Sequence, residues 1–229
     1  MRAELRGVTK TYGRGEAAQT ALRDVDFTLG SGDFAVLSGP SGSGKTTLLN
    51  LLGLLDRPDR GHVLIDGAAA EALPEARRAD LRNRKVGFVF QASDLVPVLT
   101  AEQNVTLPLE IRGLPRRQAV ARALEMLDLV GLSAFRSRLP GELSAGQRQR
   151  VSIARALVTE PAFVLADEPT ANLDTANALH VVGLLRSLRD HHGATVLMAT
   201  HDDRLLEHAT RRVRLLDGRI AADEALTPA

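Results

Sequence analysis

Apolar and polar residues alternate along Glu4 to Val8 and again along Leu22 to Leu29, as they do in half-buried antiparallel strands. Further on the pattern changes. Phe34-Ala35-Val36-Leu37, Val86 to Phe90, Ala162 to Ala166 and Ala194 to Thr200 are short, nearly continuous apolar runs. Runs of that length bounded by turn residues read as strands buried on both faces. His62 to Ile65 and Arg212 to Leu216 add two more short strands. Between the strands the period becomes helical. Helices are predicted over Thr46 to Leu52 and over Pro74 to Arg84, the latter with proline in its first turn. Thr100 to about Val130 is helical with breaks near Pro108 and at Gly113-Leu114-Pro115, and Leu124, Leu127, Leu129 and Val130 are expected core contacts. Ala176 to Arg189 is a further helix. The tail from Ala222 to Ala229 has little to pack and is expected to fray.

One junction in this pattern carries chemistry. Between the strand ending at Leu37 and the helix starting at Thr46 lies Gly39-Pro40-Ser41-Gly42-Ser43-Gly44-Lys45-Thr46, with Thr47 following. This fits the phosphate-loop pattern G-x-x-x-x-G-K-[S/T]. A nucleoside triphosphate carries several negative charges, so its cradle needs many donors converging from a small volume. Glycines let successive N–H groups point inward, and the following helix adds unpaired N–H groups and a positive dipole end. Lys45 supplies a mobile cation for the β- and γ-phosphates, and the Thr46 hydroxyl can ligate Mg²⁺.

Three further positions gain meaning from that loop. The apolar run 162–166 ends in Asp167-Glu168, and a strand end can turn both acids into one crevice. Asp167 would hold Mg²⁺ and Glu168 would orient or deprotonate the water that attacks the γ-phosphate. His201 follows another apolar strand at the same sheet end, where it can bond the γ-phosphate. His191 and His192 read as decoration of a polar helix end. Tyr12, the single tyrosine, sits in a Gly-rich turn where it either stacks on adenine or anchors the turn. Finally, Ser144-Ala145-Gly146-Gln147 opens a helix with a capping box, a second anion-seeking helix end.

Composition narrows the class. The 229 residues are 44% hydrophobic and 25% charged, as in ordinary globular domains. No apolar run approaches the ~18 residues of a membrane helix, and Met1 to Gly13 has no apolar core segment, so neither a span nor a secretory signal is expected. A net charge of +1 argues against general nucleic-acid binding. Cysteine is absent, which removes disulfides and thiolate metal sites. Lys10, Lys45 and Lys85 are the only lysines among 29 basic residues.

With these motifs in place the sequence resembles the ATP-binding-cassette superfamily along nearly its full length. Leu143-Ser144-Ala145-Gly146-Gln147 followed by R-Q-R-V-S-I-A-R-A-L is similar to the family signature, although the common form is L-S-G-G-Q. Gly39 to Thr46 matches its Walker A, and A-D-E-P-T-A-N-L-D, ending at Asp174, matches its Walker B and D-loop. Tyr12, Gln91 and His201 fall where the A-, Q- and H-loops belong. Within the superfamily, L-N-L-L-G-L-L-D-R-P and L-R-N-R-K-V-G-F-V-F-Q resemble the lipoprotein-release and macrolide-efflux branch. The resemblance implies a single α/β domain over 1–229. It would have a P-loop NTPase core with a mostly parallel sheet, an N-terminal antiparallel β subdomain and a helical signature subdomain inserted over about 92–157. It also implies a head-to-tail dimer, homomeric in the simplest case. Each ATP would then lie between one chain's loop and the other chain's signature helix, with Thr46, Asp167 and Gln91 at Mg²⁺ and Asp174 of the D-loop among the nucleotide-binding residues. An integral membrane permease and a peripheral place on the cytoplasmic face of the inner (cell) membrane complete the expectation, with 92–112 as the membrane-facing contact. The Ala145 methyl is compatible with a first helical turn. Two other functions share these motifs: an ATP-dependent dimerising regulator of an envelope complex, and a soluble cassette ATPase without a transporter.

Overall fold

The structure, a computed structural model, describes residues 2–226 other than Asn172 and Asp202; Asn172 of the D-loop run and 227–229 of the tail lie outside the described residues. Two strands, β1 (Ala3–Tyr12) and β2 (Gln19–Leu29), pair antiparallel around the Gly-rich turn. Strands β3 (Phe34–Ser38), β4 (Arg60–Ile65), β5 (Ala68–Ala69), β6 (Val86–Val89), β7 (Phe163–Asp167), β8 (Thr195–Ala199), β9 (Arg211–Leu216) and β10 (Arg219–Ala225) follow. The helices are α1 (Lys45–Leu52), α2 (Glu75–Lys85), α3 (Ala101–Ile111), α4 (Arg116–Leu129), α5 (Ala145–Leu157) and α6 (Thr175–His192). One sheet has the order β2-β1-β4-β5 and is antiparallel. The other has the order β10-β9-β3-β8-β7-β6, parallel except where β10 meets β9. This is the expected α/β arrangement.

The parallel strands bury both faces, and their period of two sorts the core. Ala35, Leu37, Phe163, Leu165 and Leu197 face the first sheet and α1, together with Leu5, Leu22, Leu48 and Leu51. Their neighbours Phe34, Val36, Val164, Ala166 and Val196 face the opposite way, onto Val181, Val182 and Leu185 of α6 and Ile153 of α5. A third cluster joins α3, α4 and α5 through Val105, Leu109, Leu127, Val151 and Ala154.

Gly53, the residue after α1, shows how tightly α1 is seated. A Cβ there would overlap the Phe88 ring, which stacks on Phe90 with centroids 5.2 Å apart. Gly53→Ala is therefore expected to cost about 1–3 kcal/mol by overpacking, read as a lower urea midpoint with an unchanged slope.

Three expectations are corrected. The helix over 101–111 does not break at Pro108, which lies inside α3; the break falls at 112–115, and α4 starts after Pro115. Proline in a helix interior costs a hydrogen bond, and the full burial of Ala101, Val105 and Leu109 offsets it. Leu129 is 53% exposed although Leu127 and Val130 beside it are buried, so it is not a core residue. The tail is a strand as far as Ala225: Ala222, Asp223, Glu224 and Ala225 pair with Arg214, Val213, Arg212 and Arg211. Backbone pairing, the Arg211–Asp223 ion pair at 2.6 Å and the packing of Leu226 on the second core cluster hold it.

Candidate nucleotide site

The strand order sets the site. β3 lies beside β8, and β8 beside β7. The C-terminal ends of these three neighbours bring Gly39, His201 and Asp167-Glu168 to one edge, where open α/β sheets hold ligands.

At that edge β3 passes into the loop and α1. Gly44 has φ +106° and Gly39 +152°. A Cβ on Gly39 would overlap the Leu215 carbonyl of β9, and one on Gly44 would overlap the Ala21 carbonyl of β2. Only glycine fits either place. The turn after β9 closes the same junction: the Gly218 amide donates to Ser43 O at 3.1 Å, and the Arg23 amide donates to Gly218 O at 2.8 Å. Lys45 Nζ curls back and donates to Gly39 O at 2.8 Å and Pro40 O at 3.0 Å. Ser43 Oγ is buried and finds no hydrogen-bond partner among the described residues.

The result is a cleft of about 430 Å³. Tyr12, Gln19 and Ala21 line one side, Ser41, Gly42, Gly44 and Lys45 to Thr47 form the floor, and Gln91, Asp167, Glu168 and His201 face them. The Thr46 hydroxyl donates to Asp167 Oδ2 at 2.6 Å. Glu168 adopts φ +48°, outside the strand region, and its amide donates to Ala199 O at 2.9 Å. That backward turn is what lets two consecutive acids face one cleft. His201 Nδ1 stands 3.0 Å from Glu168 Oε1. No group of three His, Asp or Glu side chains among the described residues could cage a metal by itself. The oxygens of Thr46, Asp167 and Gln91 in one cleft suit a hard cation that takes its remaining ligands from phosphate and water.

Other predicted residues lie elsewhere. Ser144 caps α5 as expected: its Oγ accepts from the Gln147 amide at 3.2 Å, and Gln147 Oε1 accepts from the Ser144 amide at 2.8 Å. Ser144 and Ala145 are exposed, and none of Ser144, Ala145, Gly146 or Gln147 lines the cleft. Asp174 caps α6, accepting from the Asn177 amide at 2.9 Å and its side-chain nitrogen at 2.6 Å. Those bonds hold its carboxyl below the usual aspartate range. It too is outside the cleft. His191 and His192 are exposed in the last turn of α6.

The sequence reading passed over Gln19, Ala21 and the neighbours of Tyr12. The Tyr12 hydroxyl donates to Asp56 Oδ2 at 2.8 Å, and Lys10 Nζ donates to Asp56 Oδ1 at 2.8 Å. Burial works against the Asp56 charge, but the bonds from Lys10, the Arg57 amide and Tyr12 outweigh it and leave the carboxyl below its ordinary range. The rarity of lysine in this arginine-rich chain was the one available pointer to Lys10.

A phosphate loop, an acid pair at the neighbouring strand end and a histidine against the second acid define a nucleoside triphosphatase of the cassette type. The ABC transporter family model matches residues 22–171, and the chain belongs to that family. It is 47% identical over 221 residues to an uncharacterized ABC transporter ATP-binding protein of Thermotoga maritima, covering 96% of this chain and 94% of the relative. It is 46% identical over 213 residues to the lipoprotein-releasing system ATP-binding protein LolD of Bordetella avium, covering 93% of each. The LolD of Anaeromyxobacter dehalogenans is 48% identical over 96% of this chain and 92% of its own. The dimeric post-hydrolysis structure of the ATP-binding cassette MJ0796 bound to ADP and Pi superposes with a TM-score of 0.94 and 40% identity, covering 98% of this chain and 99% of that one. The protein is an ABC transporter ATPase subunit.

Proposed function

We propose that this ATPase works as a dimer on a membrane permease of the lipoprotein-releasing kind, at the cytoplasmic face of the cell membrane. The observation that carries the site assignment is the convergence of Lys45, Thr46, Gln91, Asp167, Glu168 and His201 on one cleft. Gly39 to Thr47 cradle the phosphates with backbone N–H groups, and Lys45 leaves its two carbonyls for the β- and γ-phosphates. Tyr12 stacks on the adenine. Thr46, Asp167 and Gln91 would hold Mg²⁺, which would supply neutralising charge to the phosphates. Glu168 takes the proton of the attacking water, or aligns it, and His201 holds Glu168 and bonds the γ-phosphate. Ser144 to Gln147 and Asp174 serve the cleft of the partner chain. The exposure of Ser144, Ala145 and Asp174, and the absence of all five from their own chain's cleft, support that assignment. Support for the cargo class comes from the LolD relatives, which span nearly the whole chain.

The permease contact is assigned to the segment after Gln91, and the structure separates its apolar residues. Leu95 packs on the helical cluster, whereas Val98 is 78% exposed and has no such task. When the chain is co-expressed with a tagged lipoprotein-releasing permease, Val98→Asp is expected to abolish co-purification and spare ATP binding. Leu95→Asp is expected to lower thermal stability, because it puts a charge among buried apolar groups. Native co-purification of the Val98→Asp protein would remove this segment as the contact. Failure of the unaltered protein to associate with that permease, or to be stimulated by it, would count against the cargo class.

A further inference from the structure

Tyr12 is 42% exposed at the end of β1, where a strand alone leaves both side-chain torsions free. Here they are not free. The hydroxyl bonds Asp56 Oδ2 at 2.8 Å. The other oxygen of Asp56 accepts from Lys10 Nζ at 2.8 Å and from the Arg57 amide at 2.7 Å. Lys10, 9% exposed, closes the circuit by lying with Nζ 5.2 Å from the Tyr12 ring centroid. It also donates to Arg57 O at 2.8 Å. Ring, hydroxyl, carboxylate and ammonium thus form one closed set of contacts, and each member restrains the next.

Asp56 is itself anchored to α1. The amides of Leu55 and Asp56 both donate to Asn50 O, at 2.8 and 3.3 Å. The turn that follows the helix beginning with Lys45 therefore carries the carboxylate that grips the tyrosine. We propose that Asp56 is a positioning residue that presents the Tyr12 ring to the adenine base, so that base recognition is set from the phosphate-loop helix and not from β1 alone. Lys10 is its counter-charge. This rests on the reading of the cleft as an ATP site with Tyr12 at the base. The specificity it implies belongs to the base, with the triphosphate held independently.

The test uses the full-length protein and steady-state ATP hydrolysis, with inorganic tripolyphosphate as a base-free competitive inhibitor. Tyr12→Phe removes the hydroxyl, which meets Thr47 as well as Asp56, and Asp56→Ala removes its carboxylate acceptor alone. Each is expected to raise the KM for ATP about 3- to 10-fold, the cost of ordering one freed side chain. The change should fall on KM and not on kcat, and leave the tripolyphosphate inhibition constant unchanged. The double variant should be no worse than Tyr12→Phe, which already breaks the link to Asp56. Native KM in Tyr12→Phe would overturn the proposal, as would additive effects in the double variant. A parallel loss of tripolyphosphate inhibition would also overturn it, by placing the effect of Asp56 on the loop. If Asp56→Ala does not fold, Tyr12→Phe decides alone. Tyr12→Ala separates the levels: an unchanged KM there overturns the stacking role of Tyr12 itself, whereas a raised KM with native Tyr12→Phe leaves stacking intact and removes Asp56.

Discussion

Glu168→Gln is expected to lower kcat for ATP hydrolysis by about 10²- to 10⁴-fold, some 3–5 kcal/mol of barrier, while leaving ATP binding intact. The change is nearly isosteric. Gln can keep the hydrogen bond to His201 Nδ1, now 3.0 Å from Glu168 Oε1, and the φ of +48° is a backbone property that Gln shares with Glu. What disappears is the proton acceptor. A protein that binds but does not hydrolyse should accumulate as the ATP-closed dimer, visible as a shift from monomer to dimer by light scattering when Mg²⁺-ATP is added. Single-turnover rates measure the chemical step directly. Hydrolysis near the native rate would strip Glu168 of its role and shift attention to His201 and Asp167. The same experiment weighs the regulator alternative: a scaffold that merely closes on ATP would show little difference between the two proteins.

The second large effect is a recovery. A chain with Lys45→Ala lacks its loop cation, and a chain with Ser144→Arg blocks the N-terminus of its α5. As homodimers both should be inert, because each site then contains one broken half. In a mixed dimer of twofold design both lesions fall in one site and the other is whole. Equimolar mixing should restore up to about a quarter of the wild-type sites. The structural ground is the placement of the two helix ends. α1 opens into the cleft, whereas Ser144 and Ala145 are exposed and do not line that cleft. If the two sites must fire together, recovery would appear as ATP-dependent dimerisation and not as phosphate release. Mixtures that remain inert by both measures at several ratios would defeat the shared-site assignment.

The sequence was most legible where chemistry demands particular residue types side by side. Gly39 to Thr46 and Asp167-Glu168 were readable because a phosphate cradle and a strand-end acid pair are local patterns, and the Ser144–Gln147 capping box is local as well. The structure has the loop leading into α1, Asp167 as the last residue of β7 and the capping box at the start of α5. Legibility fell where the deciding partner is distant. Tyr12 meets Asp56 across 44 positions, and nothing near either residue announces the pair. Pro108 reads as a break because local backbone preference knows nothing of the three buried residues that hold α3 together. Leu129 reads as core because a leucine near the end of an apolar stripe looks like its neighbours until the stripe's width is known. The tail reads as loose because Ala222 to Ala225 offer no apolar bulk, whereas the strand is held by backbone partners, one ion pair and the anchoring of Leu226 beyond its end.

The glycines of the phosphate loop carry a consequence for how such a chain can change over time. Gly39 abuts a carbonyl of β9 and Gly44 a carbonyl of β2, so the loop touches both sheets at once. A mutation that fills either spot damages nucleotide binding and the joint between the sheets in a single step. Drift that abandons ATP while keeping the fold is therefore obstructed at its first move. Descendants of this chain would lose catalysis more readily through Glu168 or His201, whose side chains face the cleft, than through the loop. Inactive copies that keep an intact loop are then the expected relics of such a lineage, and their retained glycines would testify to architecture and not to turnover.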